Sequence, residues 1–371
     1  MRSVLELHAF SASDNQYLAG ISMTSEITIA GRKIGNLHPP YVICELSGNH
    51  NGSLDRALEL IDAAADTGCD AIKIQTYTPD TMTIDYAGED FQINGGLWDG
   101  RKLYDLYQEA HTPYEWHAAM FARAAKRGIT LFSTPFDKSA VDMLNDLGAP
   151  AFKIASFEIV DLPLIAYVAK QGKPMVMSTG LANLGEIEAA VATAKDHGCT
   201  QLALLHCISS YPAPSGQSNL RTMPHLAKAF DAIPGLSDHT HGTATSVAAI
   251  ALGGAVIEKH FTLHRSDGGP DAEFSLEPAE FRQLCEDCHN AWLSLGQVHY
   301  GIKQAEKQNL AFRRSLYVVN DIEANEEFTG DNVRSIRPGY GLPPADYHRV
   351  IGKRARTAVK RGTALSWDMV K

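Results

Sequence analysis

One pattern recurs along this chain and limits its fold more than any other feature. A short apolar run ends in a polar residue, a loop and a helical stretch follow, and a glycine closes the helix. The first instance is YVICE at 41–45. Behind it Leu54, Ala57, Leu58, Ile61 and Ala65 recur at helical spacing, and Gly68 supplies a C-terminal cap. Further runs are DAIKIQ (70–75), ITLFST (129–134), AFKIAS (151–156), PMVMST (174–179), LALLHC (202–207), IPGLSDH (233–239) and AVIEKH (255–260). Helical patterns such as LGEIEAAVATAKDHG and ATSVAAIALGG lie between them. Near-continuous apolar strands alternating with helices require a parallel sheet covered on both faces. Eight such units predict an α/β fold of the (β/α)8 barrel type.

The chain has 371 residues, which suits a large barrel with a small appendage. After about residue 300 the texture changes to short β-type runs, turns, glycine and proline. This predicts a barrel domain over 23–296, a helical linker over 297–310 and a small β-rich domain over 311–371. TSEITIAGRKIG, at 24–35, reads as a strand, and residues 1–22 read as a poorly packed extension. The interval 76–116, with GGLWDG and LYDLYQEAHTPYEWH, is long for a barrel loop and predicts a lid or substrate-binding insertion.

Acidic residues outnumber basic ones, 43 to 33, for a formal charge of −10. That balance argues against nucleic acid and anionic membranes as partners. Positive charge for an anionic substrate must therefore be placed locally. The sequence contains no run of 18 apolar residues and no signal-peptide core. Most of the six cysteines sit in apolar runs as small hydrophobes. Cys285 and Cys288 form a C-x-x-C pair, but it lies in a helical segment without a second pair. A reducing, cytoplasmic compartment fits this usage.

In a barrel, chemistry sits at the C-terminal ends of the strands. Here those ends supply Glu45, Lys73 with Gln75, Ser133 with Thr134, Lys153 with Ser156, Ser178 with Thr179, His206, Ser237 with Asp238 and His239, and Glu258 with His260. Such groups are costly to bury without partners. Lys73 and Lys153, each between apolar neighbours, read either as members of a structural ion pair or as a clamp on an anion. Hydroxyls at Thr134, Ser156, Ser178 and Ser237 would serve the clamp. No Walker-type loop indicates a nucleotide. A single histidine is ordinarily structural, but His239 and His260 end adjacent strands, which lie roughly 5 Å apart. Both could reach one divalent ion, with Asp238, Glu258 and Asp271 as nearby carboxylates. Histidine with carboxylate and water suits Mn²⁺ or a similar ion. His206 and His50 are weaker candidates.

ELSGNHNG (45–52), IKIQTYTPDT (72–81), STPFD (133–137), FKIAS (152–156), STG (178–180), HCISSYP (206–212), GLSDHT (235–240) and EKHFTLHRSDGGPD (258–271) together resemble the sialic acid synthase family. RPG at 337–339 and the surrounding tail look like that family's antifreeze-like (SAF) domain. The resemblance is collinear over roughly residues 25–371. It implies condensation of phosphoenolpyruvate with an N-acetylated amino sugar to a nine-carbon 2-keto acid, with release of phosphate. GGLWDG, the LYDLYQEAHTPYEWH segment and RSDGGPD look most like the family's pseudaminic acid synthase branch. That branch acts on 2,4-diacetamido-2,4,6-trideoxy-L-altropyranose; the neuraminate and legionaminate branches are the alternatives.

Carried over by motif, phosphoenolpyruvate is expected at Lys73, Thr134, Lys153, Ser156, Ser178 and Ser237. The resemblance implies a metal, Mn²⁺ or else Mg²⁺ or Co²⁺, on His239 and His260, and sugar contacts at Glu45, Tyr211, Glu258 and Asp271. The motif stops at Thr240, which leaves His241 outside it. Arg337 is expected to reach the active site of the other subunit in a domain-swapped homodimer. Ser209 departs from the pattern, because neuraminic members carry Asn there and the amide contact is lost. Two lysines and a divalent cation would balance the charge of phosphoenolpyruvate. The metal would act as a Lewis acid on the sugar aldehyde, with Lys73 in the catalytic centre and Glu45 or Glu258 handling protons. Rival readings are a class I aldolase with a Schiff base on Lys73 or Lys153, a synthase for a phosphorylated sugar, and an ice- or glycan-binding protein.

Overall fold

The computed structural model describes residues 26–371, so the extension expected over residues 1–22 lies outside the described residues. The described chain divides into two compact units, one ending at Gly296 and the other spanning Gln297–Lys371. Among the described residues no helix is long and apolar enough to cross a membrane.

The first unit opens with a hairpin of β1 (Ile27–Ile29) and β2 (Arg32–Ile34). The expected single strand over 24–35 is therefore two. Ala30 and Gly31 both take positive φ, 47° and 80°, which reverses the chain between them. A closed parallel barrel follows: β3 (Tyr41–Glu45), β4 (Ala71–Thr76), β5 (Thr130–Pro135), β6 (Phe152–Ile154), β7 (Met175–Ser178), β8 (Leu202–Cys207), β9 (Ile233–Asp238) and β10 (Val256–His260), with β10 closing onto β3. AFKIAS is strand over three residues only. Ser156 already has helical angles and begins the turn Phe157–Val160.

Alternation along each strand decides which side chains face the barrel axis. Outward residues such as Cys44, Ile72, Ile74 and Ile257 pack on helices including Leu54–Ala65, where Ser53 caps the first turn. Inward residues near the N-terminal ends, among them Tyr41, Ile43, Phe132 and Val256, pack with Ile27, Ile29 and Ile34 of the hairpin. The hairpin thereby plugs that end with apolar side chains and leaves polar inward positions to the other end. Gly235 is required inside this wall, because a Cβ there would meet Leu205 and stand 2.6 Å from the Val256 carbonyl oxygen.

In the second unit Gln304–Phe312 is a 3-10 helix. It leads to β11 (Ser315–Val318), which pairs antiparallel with β12 (Val333–Ile336). Leu316, Val318, Phe328, Val333, Val350 and Leu365 form a small core of their own.

Candidate active site

Strand register places Glu45 beside both Lys73 and His260. Lys73 Nζ lies 2.8 Å from Glu45 Oε2, 3.3 Å from Glu258 Oε1 and 3.1 Å from Thr134 Oγ1. Gln75 donates to Glu45 Oε1 at 3.1 Å, and Ser237 donates to Glu258 Oε1 at 3.2 Å. All these side chains are buried or nearly so. Burial raises the Glu45 carboxyl, with Lys73 opposing it. Burial pulls the same way at Glu258, but the charges of Lys153 and Lys73 outweigh it and hold that carboxyl low. The two glutamates are thus pushed apart in acidity. Burial lowers Lys73, yet Glu258 and Glu45 together keep it protonated. The expected balance of two free lysines changes accordingly, since the charge of Lys73 is already met by two carboxylates.

Among the described residues Lys153 forms no ion pair of this kind, although Glu258 is near enough to act on its charge. Lys153 Nζ lies 2.6 Å from Ser178 Oγ and 2.8 Å from the Ile154 carbonyl. Burial lowers its pKa to about 8, with Glu258 opposing. Ser156 Oγ accepts from the Gly180 amide at 3.1 Å. A Cβ at Gly180 would meet the Ser156 and Ser209 hydroxyls, so glycine lets backbone and three serines converge at the ends of β6, β7 and β8. A lysine, hydroxyls and an approachable backbone form a cradle for a tetrahedral anion. Beside it is Glu158, which the sequence reading missed. Among the described residues its Oε2 is buried without a hydrogen-bond partner, and burial raises its pKa to about 7. The available signal was a carboxylate two residues past Ser156, just beyond a strand end.

His239 and His260 do come together, with ring centroids 5.4 Å apart. Among the described residues no three His, Cys, Asp or Glu side chains gather as a metal cage. The pair nevertheless fits a divalent ion completed by water and substrate oxygens. His239 Nδ1 lies 2.9 Å from the Ile208 carbonyl and 3.8 Å from Cys207 Sγ. Burial lowers this imidazole, but Cys207 outweighs it and pushes it up. Once the ring is deprotonated, Nε2 is the lone-pair nitrogen for a metal. Among the described residues His260 Nδ1 is buried with no hydrogen-bond partner. Burial, helped by His239 and Lys73, keeps His260 well below the usual imidazole range and therefore neutral, as a ligand must be.

Tyr211 covers His239 at 4.4 Å between ring centroids and packs on Phe274 at 5.1 Å. Phe274, also missed from sequence, lies 4.8 Å from His260. The segment that carries Asp271 and Phe274 is tied to the loop after β3 and to the helix behind it: Ser47 of the loop donates to Asp271, and Arg56 of the helix pairs with Asp267 at 2.8 Å. Burial raises the Asp271 carboxyl, with Ser47 opposing.

Several strand-end candidates face away from the mouth. Asp238 points outward and pairs with Lys259 at 2.9 Å, held also by Thr240 and Ser246, so it is not near the histidine pair as a ligand. His206 also points outward, to the Ser218 carbonyl at 2.6 Å. His50 has both ring nitrogens engaged, by the Gly52 amide and Thr112. Ser133 bonds Thr76 and the Ile74 carbonyl behind the wall, and His241 is exposed. A cleft of about 510 Å³ lined by Arg32, Asp70, Arg282 and His289 lies at the opposite end of the strands, so the chemistry of the side chains, not hollow volume, locates the site. Arg337 lies in the second unit, where it is exposed.

Known proteins resemble this chain over most of its length. Residues 60–300 match the NeuB family, and residues 313–371 match the SAF domain. The chain is 43% identical over 336 residues to the pseudaminic acid synthase of Campylobacter jejuni, covering 90% of this chain and 98% of that protein. It is 40% identical over 337 residues to the pseudaminic acid synthase of Helicobacter pylori, covering 90% and 99%. Among solved structures, an N-acetylneuraminic acid synthetase from Leptospira borgpetersenii in complex with citrate superposes with a TM-score of 0.69 at 32% identity, covering 77% of this chain and 95% of that one.

Proposed function

The chain belongs to the NeuB family, and from that premise we propose that it condenses phosphoenolpyruvate with 2,4-diacetamido-2,4,6-trideoxy-L-altropyranose. The products are pseudaminic acid and phosphate, the latter released by C–O cleavage. The observation that carries this reading is the 43% identity to a pseudaminic acid synthase across 90% of the chain. The reading includes a cytoplasmic homodimer. Exposed apolar side chains at Val298, Tyr300 and Phe312 of the second unit support a partner surface there. Arg337 would then reach the partner's sugar site.

Each group at the mouth has a role in this chemistry. Lys153, with Ser156, Ser178 and Ser209, would hold the phosphoryl group and stay in place as it leaves. Thr134 and Ser237 would complete the phosphoenolpyruvate contacts through the Lys73 cluster. Lys73 fixes both glutamates, which leaves Glu258 ionised against the positive charge that develops at C2. Glu158, with its pKa near neutrality, would take the proton of the water that adds there. Glu45 would carry the proton exchanged with the sugar oxygen. His239 and His260 would hold a divalent ion, Mn²⁺ by preference, whose chemistry when bound is polarisation of the open-chain aldehyde. Tyr211 and Asp271 would orient the sugar.

A phosphate-release assay with manganese tests the reading. It should run faster with the diacetamido altrose sugar than with N-acetylmannosamine or the legionaminate precursor. A preference for either of the others would overturn the choice of branch.

A further inference from the structure

The insertion between β4 and β5 carries a hairpin whose tip is almost entirely exposed. Gln92 pairs with Lys102, and Ile93 and Gly100 are linked by a 2.8 Å backbone bond. Gly95, Gly96 and Gly100 have φ of 85°, 76° and 77°, so the tip turns in a conformation only glycine takes freely. Leu97 and Asp99 are exposed, whereas Trp98 between them is half-buried. Its indole N–H donates to the Pro270 carbonyl at 3.0 Å, one residue before Asp271. Its ring lies 5.6 Å from Tyr211. Tyr211 in turn covers His239, and Phe274 covers His260.

Trp98, Tyr211 and Phe274 therefore form a continuous aromatic wall on the histidine side of the mouth. The charged cradle of Lys153 and the serines lies at the ends of β6 to β8, and it meets the wall only in the loop after β8, which carries both Ser209 and Tyr211. A phosphate has no use for an apolar wall, and neither does an aldehyde. A sugar bearing acetamido methyl groups and a deoxy carbon does, because each such group gains by leaving water against an aromatic face.

Resting on the reading above, we propose that Trp98 is a positioning residue that sets sugar specificity. It docks the insertion onto the Pro270 loop and holds Tyr211 against the apolar substituents of the amino sugar. Discrimination by such a wall is on the order of 10-fold per methyl group.

The test is steady-state kinetics of the full-length wild type, Trp98→Ala and Trp98→Phe, varying each substrate separately. Trp98→Ala should raise the sugar KM about 10-fold and reduce the preference for the diacetamido sugar over N-acetylmannosamine by a similar factor. The phosphoenolpyruvate KM should move less than about twofold, since Trp98 touches none of that cradle. Trp98→Phe should recover most of the preference, because a ring remains on Tyr211 and only the bond to Pro270 is lost. It also serves as the test if Trp98→Ala does not fold. Failure of this inference and failure of the reading are distinguishable. A wild type that prefers N-acetylmannosamine overturns the choice of branch. An unchanged KM in the Trp98 variants, for whichever sugar the wild type uses, overturns the role of Trp98.

Discussion

Asp238 and Lys259 are register partners on neighbouring strands, and their side chains meet at 2.9 Å on the outer face of the barrel wall. The next residue after Asp238 is His239 and the residue before Lys259 is Glu258, both directed to the axis. The buried pair thus braces, from behind, the two strand ends that carry the histidines.

Removing one partner of this pair leaves an uncompensated buried charge. Lys259→Met should cost about 3–5 kcal/mol of stability in urea denaturation. The double change with Asp238→Leu should recover much of that loss. An unchanged urea midpoint for the single variant would show that the pair contributes nothing to the fold.

Lys153 is expected to set an alkaline limit. Its charged form exists below its pKa, which burial lowers to about 8. Hence kcat/KM for phosphoenolpyruvate should fall as pH rises through about 8. Lys153→Arg keeps its charge throughout and should abolish that limb while weakening binding. Borohydride in the presence of substrate should trap no adduct on Lys153 or Lys73; a trapped Schiff base would favour the aldolase chemistry instead.

Glu158 is expected to set the acid limit. As a proton acceptor it works ionised, so activity should rise with pH through about 7. Glu158→Gln should lower kcat by about 100-fold or more and flatten this limb. A variant that keeps the limb places the titrating group elsewhere, with Glu45→Gln the next to examine.

His239→Ala and His260→Ala should each lose Mn²⁺ binding, measured by calorimetry on the protein alone, together with metal-dependent phosphate release. Full activity of both variants in chelator would remove the pair from the metal assignment.

Arg337→Ala should raise the sugar KM far more than the phosphoenolpyruvate KM, and sedimentation should give a dimer for both wild type and variant. A monomeric, fully active wild type would falsify the swapped arrangement.

The barrel was legible because its signals are local. Apolar runs such as YVICE and LALLHC need two covered faces whatever lies elsewhere, and all eight runs are strands within a few residues of their expected bounds. AFKIAS overshot because Ser156 has no period-two signal that separates a strand from a turn. The position of the site at the strand ends followed from the fold class, and so did most of its residues. Asp238 and His206 could not be sorted by type, since a polar residue at a strand end reads the same whichever face it takes.

By itself, the amino-acid order determined the eight barrel strands and their order, the polar character of their ends, and the glycines that let backbones approach. Only the tertiary structure decided that Lys73 is neutralised by Glu45 and Glu258, that Lys153 forms no such ion pair among the described residues, and that Glu158 is poised near neutrality. The physical reason is that charge and acidity depend on distance and burial. Here both are set by the register between strands that lie far apart along the chain.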